Sequence, residues 1–209
     1  MSPFAQFEQV WLRCDHLSII HGYLAKNAAA VLQPDEILRA EWAARVSALD
    51  LYVHELVADR MVGIFEGKLP SCPGYNTFTI STETIERIRA AASSTDAAAA
   101  FDLSVRDQLS RRTFQYPDDI AAGIRLCSSV PLWTEVAMRL GATAQTKDEQ
   151  AKKIKKELTQ IAARRNKIVH EGDLQPTIPR IPWPIQQEHL TFVTAFIRKI
   201  VIAVEDVMK

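Results

Sequence analysis

The sequence predicts an all-α fold, in which helices pack as a bundle. Apolar side chains recur at steps of three and four residues in several long segments, which is the spacing of an amphipathic helix. No two segments with alternating apolar residues are joined by the residues typical of a β-hairpin turn. A chain of 209 residues can bury a substantial core, and we expect one domain over residues 1–209.

Two long helices are predicted in the first third of the chain. The first runs from about residue 3 to residue 27. A proline followed by two acidic residues, at positions 34–36, opens the second. This helix continues to about Phe65 and is stopped by Gly67. Residues 68–80, which contain two prolines and a glycine, are predicted to form a loop.

Shorter helices are predicted in the middle of the chain. Ser81, Asp96 and Pro117 each mark a start, because these residue types are favoured at the first positions of helices. A fourth short helix is expected to begin at Pro131 and to end near Gly141. Together these segments form the middle of the predicted bundle.

Two further long helices are predicted near the C-terminus. One begins at residues 146–149, which have the form of a capping box, and ends at Gly172. Four prolines between Gln175 and Pro184 then predict a stiff, extended crossing, in which Trp183 packs under the loop or stacks on a base. The last helix, about residues 185–209, either closes the bundle or pairs with a second protomer.

The helix that ends at Gly172 contains the most informative stretch, residues 164–173. Arg165 falls on the apolar face of this helix, where a guanidinium needs an anion, a cavity or another chain. Asn166 and His170 are four residues apart and lie on one face, whereas Arg165 and His170 point about 140° apart. A site shared between two copies of the chain is therefore expected. The residues of the apolar face are Ala151, Ile154, Leu158, Ile161, Arg165 and Ile168.

Arg165, Asn166 and His170 match the signature of the HEPN superfamily, an arginine followed by a polar residue, with four to six residues between the arginine and a histidine. Residues 49–56, 114–120 and 164–173 resemble the RiboL-PSP-HEPN subfamily, and the resemblance extends over roughly residues 30–175. It implies an all-α bundle with additional helices, a homodimer, and metal-independent cleavage of RNA. It also implies a toxin–antitoxin or phage-defence setting, with an antitoxin or another defence protein as partner.

The charge of the chain is concentrated on the motif helix. The whole chain is neutral, with 25 Lys and Arg against 25 Asp and Glu, and does not indicate a nucleic-acid-binding protein. Residues 147–167, however, contain eight cations and three acidic residues, which leaves a net charge of −5 elsewhere. This surface suits phosphates, although a solvent-exposed lysine face explains the lysines equally well. The predicted RNA-binding residues are Arg164, Lys167, Lys156 and Lys153.

The three motif residues provide the groups that RNA cleavage requires. RNA carries its own nucleophile, the 2′-hydroxyl, so a base, an acid and a cation are sufficient without a metal or cofactor. An imidazole titrates near neutral pH, and His170 is the predicted base or acid. Arg165 would bind the nonbridging phosphate oxygens, and Asn166 would orient His170 or bind phosphate. The products would be a 2′,3′-cyclic phosphate and a 5′-hydroxyl.

Two other interpretations stay open. In the first, the motif is purely structural and both of its charged residues are neutralised within the chain. The pairs would be His170 with Glu171 or Asp173, and Arg165 with Asp50 or Glu55. In the second, the protein is a noncatalytic HEPN module that dimerises or binds another protein or nucleic acid. Regulation by nucleotidylation of a tyrosine after the motif histidine is not favoured, because residues 171–173 contain no tyrosine.

The remaining sequence features predict that the protein is located in the reducing cytoplasm. Cys14, Cys72 and Cys127 are widely separated, which indicates neither a disulfide framework nor a zinc site. No N-terminal stretch has the pattern of a secretory signal, and no apolar run reaches the roughly 18 residues needed to span a bilayer. The apolar C-terminal segment is interrupted by Arg198 and Lys199. We therefore expect no membrane association.

Overall fold

The computed structural model describes residues 1–27 and 33–209. Within these residues the chain forms nine helices, and the predicted all-α class is confirmed. The one β-type contact in the described part is an isolated antiparallel bridge between Leu174 and Pro182. The helices are α1 (Pro3–Asn27), α2 (Asp35–Phe65), α3 (Pro73–Asn76), α4 (Thr82–Arg89), α5 (Ser94–Leu109), α6 (Pro117–Ile124), α7 (Leu132–Arg139), α8 (Lys147–Glu171) and α9 (Gln187–Met208).

The ends of α2 agree with the sequence. The helix begins at Asp35, and after Phe65 the chain leaves the helix through Gly67, whose φ of 73° is the left-handed conformation that glycine adopts readily. The predicted loop over residues 68–80 is interrupted by the short helix α3, which the sequence did not predict.

One predicted helix start and one predicted helix cap need correction. Asp96 was expected to open a helix, but α5 begins at Ser94, and the Ser93 hydroxyl accepts the hydrogen bond of the Asp96 N–H at 3.1 Å. The capping box expected at Thr146 is also absent, because the Thr146 hydroxyl accepts from the Thr143 N–H instead. A capping box does occur at α9, between Gln186 and His189.

The long helix α2 lies at the centre of the bundle. It contacts α1, α5, α6, α8 and α9, and its buried side chains extend over the whole length of the helix, from Leu38 to Ile64. Helix α9 buries one apolar face, including Val193, Ile197 and Val204, against α2 and α7. The last helix therefore closes the bundle, which was one of its two expected roles.

A buried ionic network joins α1 to α2. Arg45 is 1% exposed and donates to Glu41 and to Asp15, each at 2.7 Å, while its guanidinium lies 4.4 Å from the centre of the Trp11 ring. Glu41 is fully buried and also accepts from Ser18. These charges are compensated within the chain, so the network is part of the interior.

The proline-rich segment folds back on itself, so the predicted extended crossing is wrong. The Gln175 N–H donates to the Ile181 carbonyl at 2.9 Å, and the Trp183 N–H donates to the Asp173 carbonyl at 2.7 Å. The segment is thus a short hairpin-like loop whose two arms lie beside the end of α8. None of the described helices is long and apolar enough to cross a membrane.

Candidate active site

Helix α8 carries the motif residues, and its N-terminal half is anchored in the core. Ala151, Ile154, Leu158 and Ile161 are buried as predicted, against neighbours that include α7 and α2. Arg165 continues this row but is only half-buried. The expectation that it occupies a core position is therefore wrong, and the side chain lies at the edge of the interior.

Arg165 belongs to a row of three polar side chains. Its Nη1 donates to Oδ1 of Asn166 at 3.1 Å, and Nδ2 of Asn166 donates to the hydroxyl of Tyr116 at 3.1 Å. The Nε of Arg165 is buried and has no hydrogen-bond partner among the described residues. Within the same residues, no carboxylate lies within 4.0 Å of this guanidinium.

The carboxylates proposed to neutralise Arg165 are engaged elsewhere. Glu55 accepts two hydrogen bonds from Arg106, at 2.6 and 3.1 Å, and this carboxylate raises the pKa of the Arg106 guanidinium. Asp50 accepts from the Phe114 N–H and lies 3.6 Å from the His54 ring nitrogen. Neither residue therefore supplies the anion that a structural reading of Arg165 requires.

Arg164, in contrast, is held by an anion inside the chain. Its Nη2 donates to Asp173 at 3.2 Å and to the Pro184 carbonyl at 2.8 Å, and its guanidinium lies 5.0 Å from the Trp42 ring centre. Asp173 is fully buried and also accepts from Arg39 at 3.2 Å. The contacts of Arg164, a predicted RNA-binding residue, thus join the end of α8 to α2 and to the loop that follows.

The end of α8 places His170 at the surface. Gly172 and Asp173 both have positive φ, 65° and 54°, and the N–H groups of both residues point to the Lys167 carbonyl. His170 is exposed in the last turn, and its ring forms no hydrogen bond with the described residues, including Glu171 and Asp173. Neither Glu171 nor Asp173 therefore pairs with His170, as a structural role of this histidine would require.

The predicted RNA-binding lysines lie on the exposed surface of α8. Lys153 is paired with Glu149 at 2.7 Å, whereas Lys156 has no carboxylate within 4.0 Å among the described residues. The Lys167 ammonium lies 5.9 Å from the ring centre of Trp183, which is 39% exposed. These lysines do not converge on Arg165, and they form a cationic surface along the helix.

Sequence reasoning did not identify Tyr116 or the partners of Asp173. Tyr116 lies in the segment before α6 that carried part of the family resemblance, and its hydroxyl is separated from Asn166 by 50 residues of chain. Asp173 is separated from Arg39 by 134 residues. The one local signal for Asp173 was its place after a helix-ending glycine, where a carboxylate can reach back toward cations on the helix.

Comparison of the chain with protein families, with characterised proteins and with solved structures found no match. The candidate site therefore has to be interpreted from its own geometry and from the resemblance of its motif.

Proposed function

We propose that this protein is a metal-independent endoribonuclease of the HEPN type, acting in a toxin or phage-defence setting. The observation that carries the proposal is the contrast between two adjacent arginines. Arg164 is held by Asp173, whereas Arg165 has only the neutral amide of Asn166 as a side-chain partner among the described residues. A half-buried guanidinium without an anion is suited to bind one from outside, and phosphate fits its planar array of donors.

The chemistry follows from the groups along this part of α8. A base, for which His170 is the candidate, removes the proton of the 2′-hydroxyl, whose oxygen attacks the neighbouring phosphorus. The bond from phosphorus to the 5′-oxygen breaks, and an acid returns a proton to the leaving oxygen. Arg165 stabilises the negative charge that grows on the nonbridging oxygens. Asn166, oriented by Tyr116, holds the guanidinium in place.

The proposal requires two copies of the chain. Arg165 and His170 point about 140° apart on one helix, so a single copy brings them together poorly. The exposed end of α8 carries an apolar side chain suited to an interface next to His170 in the chain, since Val169 is 47% exposed. A dimer that joins the ends of two α8 helices would place Arg165 of one copy near His170 of the other.

The test is RNA cleavage in the presence of EDTA. Purified protein is incubated with a mixed RNA pool, and the new ends are mapped by sequencing and by sensitivity to phosphatase. We expect 2′,3′-cyclic phosphate and 5′-hydroxyl ends, and a loss of at least about 100-fold in rate for Arg165→Ala and His170→Ala.

The matched controls are Arg13→Ala and His16→Ala, which remove an exposed arginine and an exposed histidine from α1. Both controls are expected to cleave at the rate of the unchanged protein. Cleavage retained by either motif variant, or absent from the folded, dimeric parent protein, would contradict the proposal.

A noncatalytic binding module is the second candidate. Helix α1 exposes several large apolar side chains, a feature that is typical of a surface that contacts another protein. They are Leu12, Ile19, Ile20 and Tyr23. A folded protein that dimerises, binds RNA or a protein partner, and leaves RNA uncut would favour this candidate.

A further inference from the structure

We propose that the outer face of α1 binds an acidic amphipathic helix of a partner protein. Five exposed residues on one side of this helix form the binding surface, which we call the outer row. They are Leu12, His16, Ile19, Tyr23 and Lys26. None of the residues proposed to cleave RNA lies on α1, so the inference does not depend on the nuclease activity.

The second half of α1 has more apolar side chains than the bundle covers. The last buried residue of the helix is Cys14, and none of residues 15–27 is buried. Ile19 is 68% exposed and Tyr23 is 67% exposed. Clustered apolar side chains on a surface are typical of a site that contacts another molecule. The large apolar residues of this half are Leu17, Ile19, Ile20, Tyr23 and Leu24.

The spacing of the outer row fits a second helix. Its residues follow one another at alternating steps of four and three, which is the spacing of the contact seam in a coiled coil. At about 100° per residue, the row covers only about 80° of the helix surface, and from Leu12 to Lys26 it is about 21 Å long. A narrow, straight row of this length matches the side of one facing helix.

The charges of α1 indicate that the facing helix is acidic. The two acidic residues of α1, Glu8 and Asp15, are both paired with arginines of other helices, at 2.9 and 2.7 Å. Arg13 and Lys26 are exposed, and neither has a carboxylate within 4.0 Å among the residues that the structure describes. The charge that α1 offers to a partner is therefore positive, and carboxylates complement it. A second copy of α1 would bring the same cations and no free carboxylate, so self-pairing is disfavoured.

The position of His16 favours a helix over a lipid bilayer as the partner. This imidazole lies inside the outer row, between Leu12 and Ile19. A coiled-coil seam accommodates one polar residue, which fixes the register of the two helices. In the apolar part of a bilayer the same ring would lose its hydrogen bonds to water, which is costly. A carboxylate on a facing helix could instead accept a hydrogen bond from it.

The experiment measures binding of two designed peptides to the full chain by fluorescence anisotropy. Each peptide has about three heptads, with leucine at both seam positions and a staple on its outward face that keeps it helical. One peptide has glutamate beside the seam, and the other has lysine at the same positions. We expect the glutamate peptide to bind one site per chain with a Kd below about 100 μM, and the lysine peptide to bind at least about tenfold more weakly.

Variants of the outer row identify the surface that binds. Ile19→Ser and Tyr23→Ser each remove an exposed apolar side chain, so the fold is retained and binding of the glutamate peptide should weaken at least about tenfold. Lys26→Glu should weaken the glutamate peptide and strengthen the lysine peptide. The matched control is Leu103→Ser, which removes a similarly exposed apolar side chain from α5 and should bind as the unchanged protein does. Circular dichroism establishes that each variant is folded.

Several outcomes would overturn the proposal. Absence of binding by the glutamate peptide, equal affinity for the two peptides, or unchanged binding by Ile19→Ser and Tyr23→Ser would each do so. Binding to vesicles of phosphatidylcholine and phosphatidylglycerol that is lost in these variants would assign the outer row to a membrane. Dissociation of an oligomer by Ile19→Ser, measured by analytical ultracentrifugation, would assign it to a second copy of the chain. Each outcome can occur whether or not the protein cleaves RNA, since the cleavage assay reports on Arg165 and His170.

Discussion

Arg164 and Arg165 are neighbours in the sequence, and within the described part of the chain only Arg164 has a buried counter-charge. Asp173 is fully buried, and its two cationic partners are Arg164 and Arg39. Removal of Arg164 leaves this carboxylate with one partner, in an environment where an incompletely compensated charge is costly. Arg165 has no such dependent carboxylate among the described residues, so its removal leaves only an amide with one hydrogen bond fewer.

This difference predicts that loss of Arg164 affects stability more than loss of Arg165 does. Arg164→Ala should lower the free energy of unfolding by about 2 to 3 kcal/mol, whereas Arg165→Ala should lower it by less than about 1 kcal/mol. Urea unfolding followed by circular dichroism measures both. Equal losses for the two variants, or a larger loss for Arg165→Ala, would show that Arg165 is itself a structural cation.

Asn166 keeps the surroundings of Arg165 neutral. A carboxylate at position 166 should pair with the Arg165 guanidinium and prevent it from binding phosphate. Asn166→Asp would accept a charge-assisted hydrogen bond from Arg165, and the Tyr116 hydroxyl can donate to the same carboxylate. We expect the free energy of unfolding to change by less than about 1 kcal/mol, while RNA cleavage falls by about 100-fold or more.

The control for this substitution is Gln160→Glu, which makes the same change of amide to carboxylate at an exposed position of α8. Cleavage rates and melting temperatures are measured for both variants. A similar loss of cleavage in Gln160→Glu would mean that general repulsion of RNA, and not the loss of a free guanidinium, explains the effect.

At the level of the element, the end of α8 determines which groups the helix presents. The left-handed conformation of Gly172 turns the chain so that Asp173 reaches back to Arg164, and His170 stays exposed in the last turn. An alanine at this position would have to adopt a conformation that costs L-residues about 1 to 2 kcal/mol. The conformation of Gly172 thus affects both the stability of the loop after α8 and the position of His170.

Gly172→Ala should therefore lower the free energy of unfolding by about 1 to 2 kcal/mol. Gly172→Asn should lower it less, because asparagine adopts the left-handed region more readily. Gly22→Ala is the matched control, since Gly22 lies within α1 and no described residue outside its own helical turn comes within 4 Å of an added Cβ. This change should raise stability by up to about 1 kcal/mol. Thermal unfolding of the three variants measures these changes. A Gly172→Ala protein as stable as the unchanged protein would contradict the prediction.

The long helices could be predicted because their signals are local. The apolar spacing along α8 assigned Ile154, Leu158 and Ile161 to the interior, and Gly67 and Gly172 marked the ends of α2 and α8 correctly. Such signals depend on residues within one or two turns of each other. They define the face of each helix and the position at which it ends.

The contacts of the candidate site could not be predicted in the same way. A periodic pattern assigns a residue to a face of a helix, but it does not show how much of that turn the neighbouring elements cover, and Arg165 is only half-buried. The Tyr116–Asn166 and Arg39–Asp173 contacts join residues 50 and 134 positions apart. Nothing in the local sequence specifies such pairs.

For the whole molecule, the proposed chemistry depends on how two copies combine. One copy supplies Arg165 on one side of α8 and Asn166 and His170 on another, with the exposed Val169 next to the histidine in the chain. In a twofold dimer the same surface contributes to both halves of the interface. Each of the two composite sites would then take its arginine from one chain and its histidine from the other.

This arrangement predicts that two inactive variants restore activity when they are mixed. Arg165→Ala and His170→Ala proteins, denatured together at equal concentration and refolded, form mixed dimers in which one of the two composite sites keeps both residues. About half of the dimers are mixed, so about a quarter of the wild-type RNA cleavage should return. Each variant refolded alone is the control, and native mass spectrometry measures the fraction of mixed dimers. If mixed dimers form and no cleavage returns while the wild-type protein cleaves, then Arg165 and His170 act within a single chain, and the composite site is wrong even though the nuclease assignment stands.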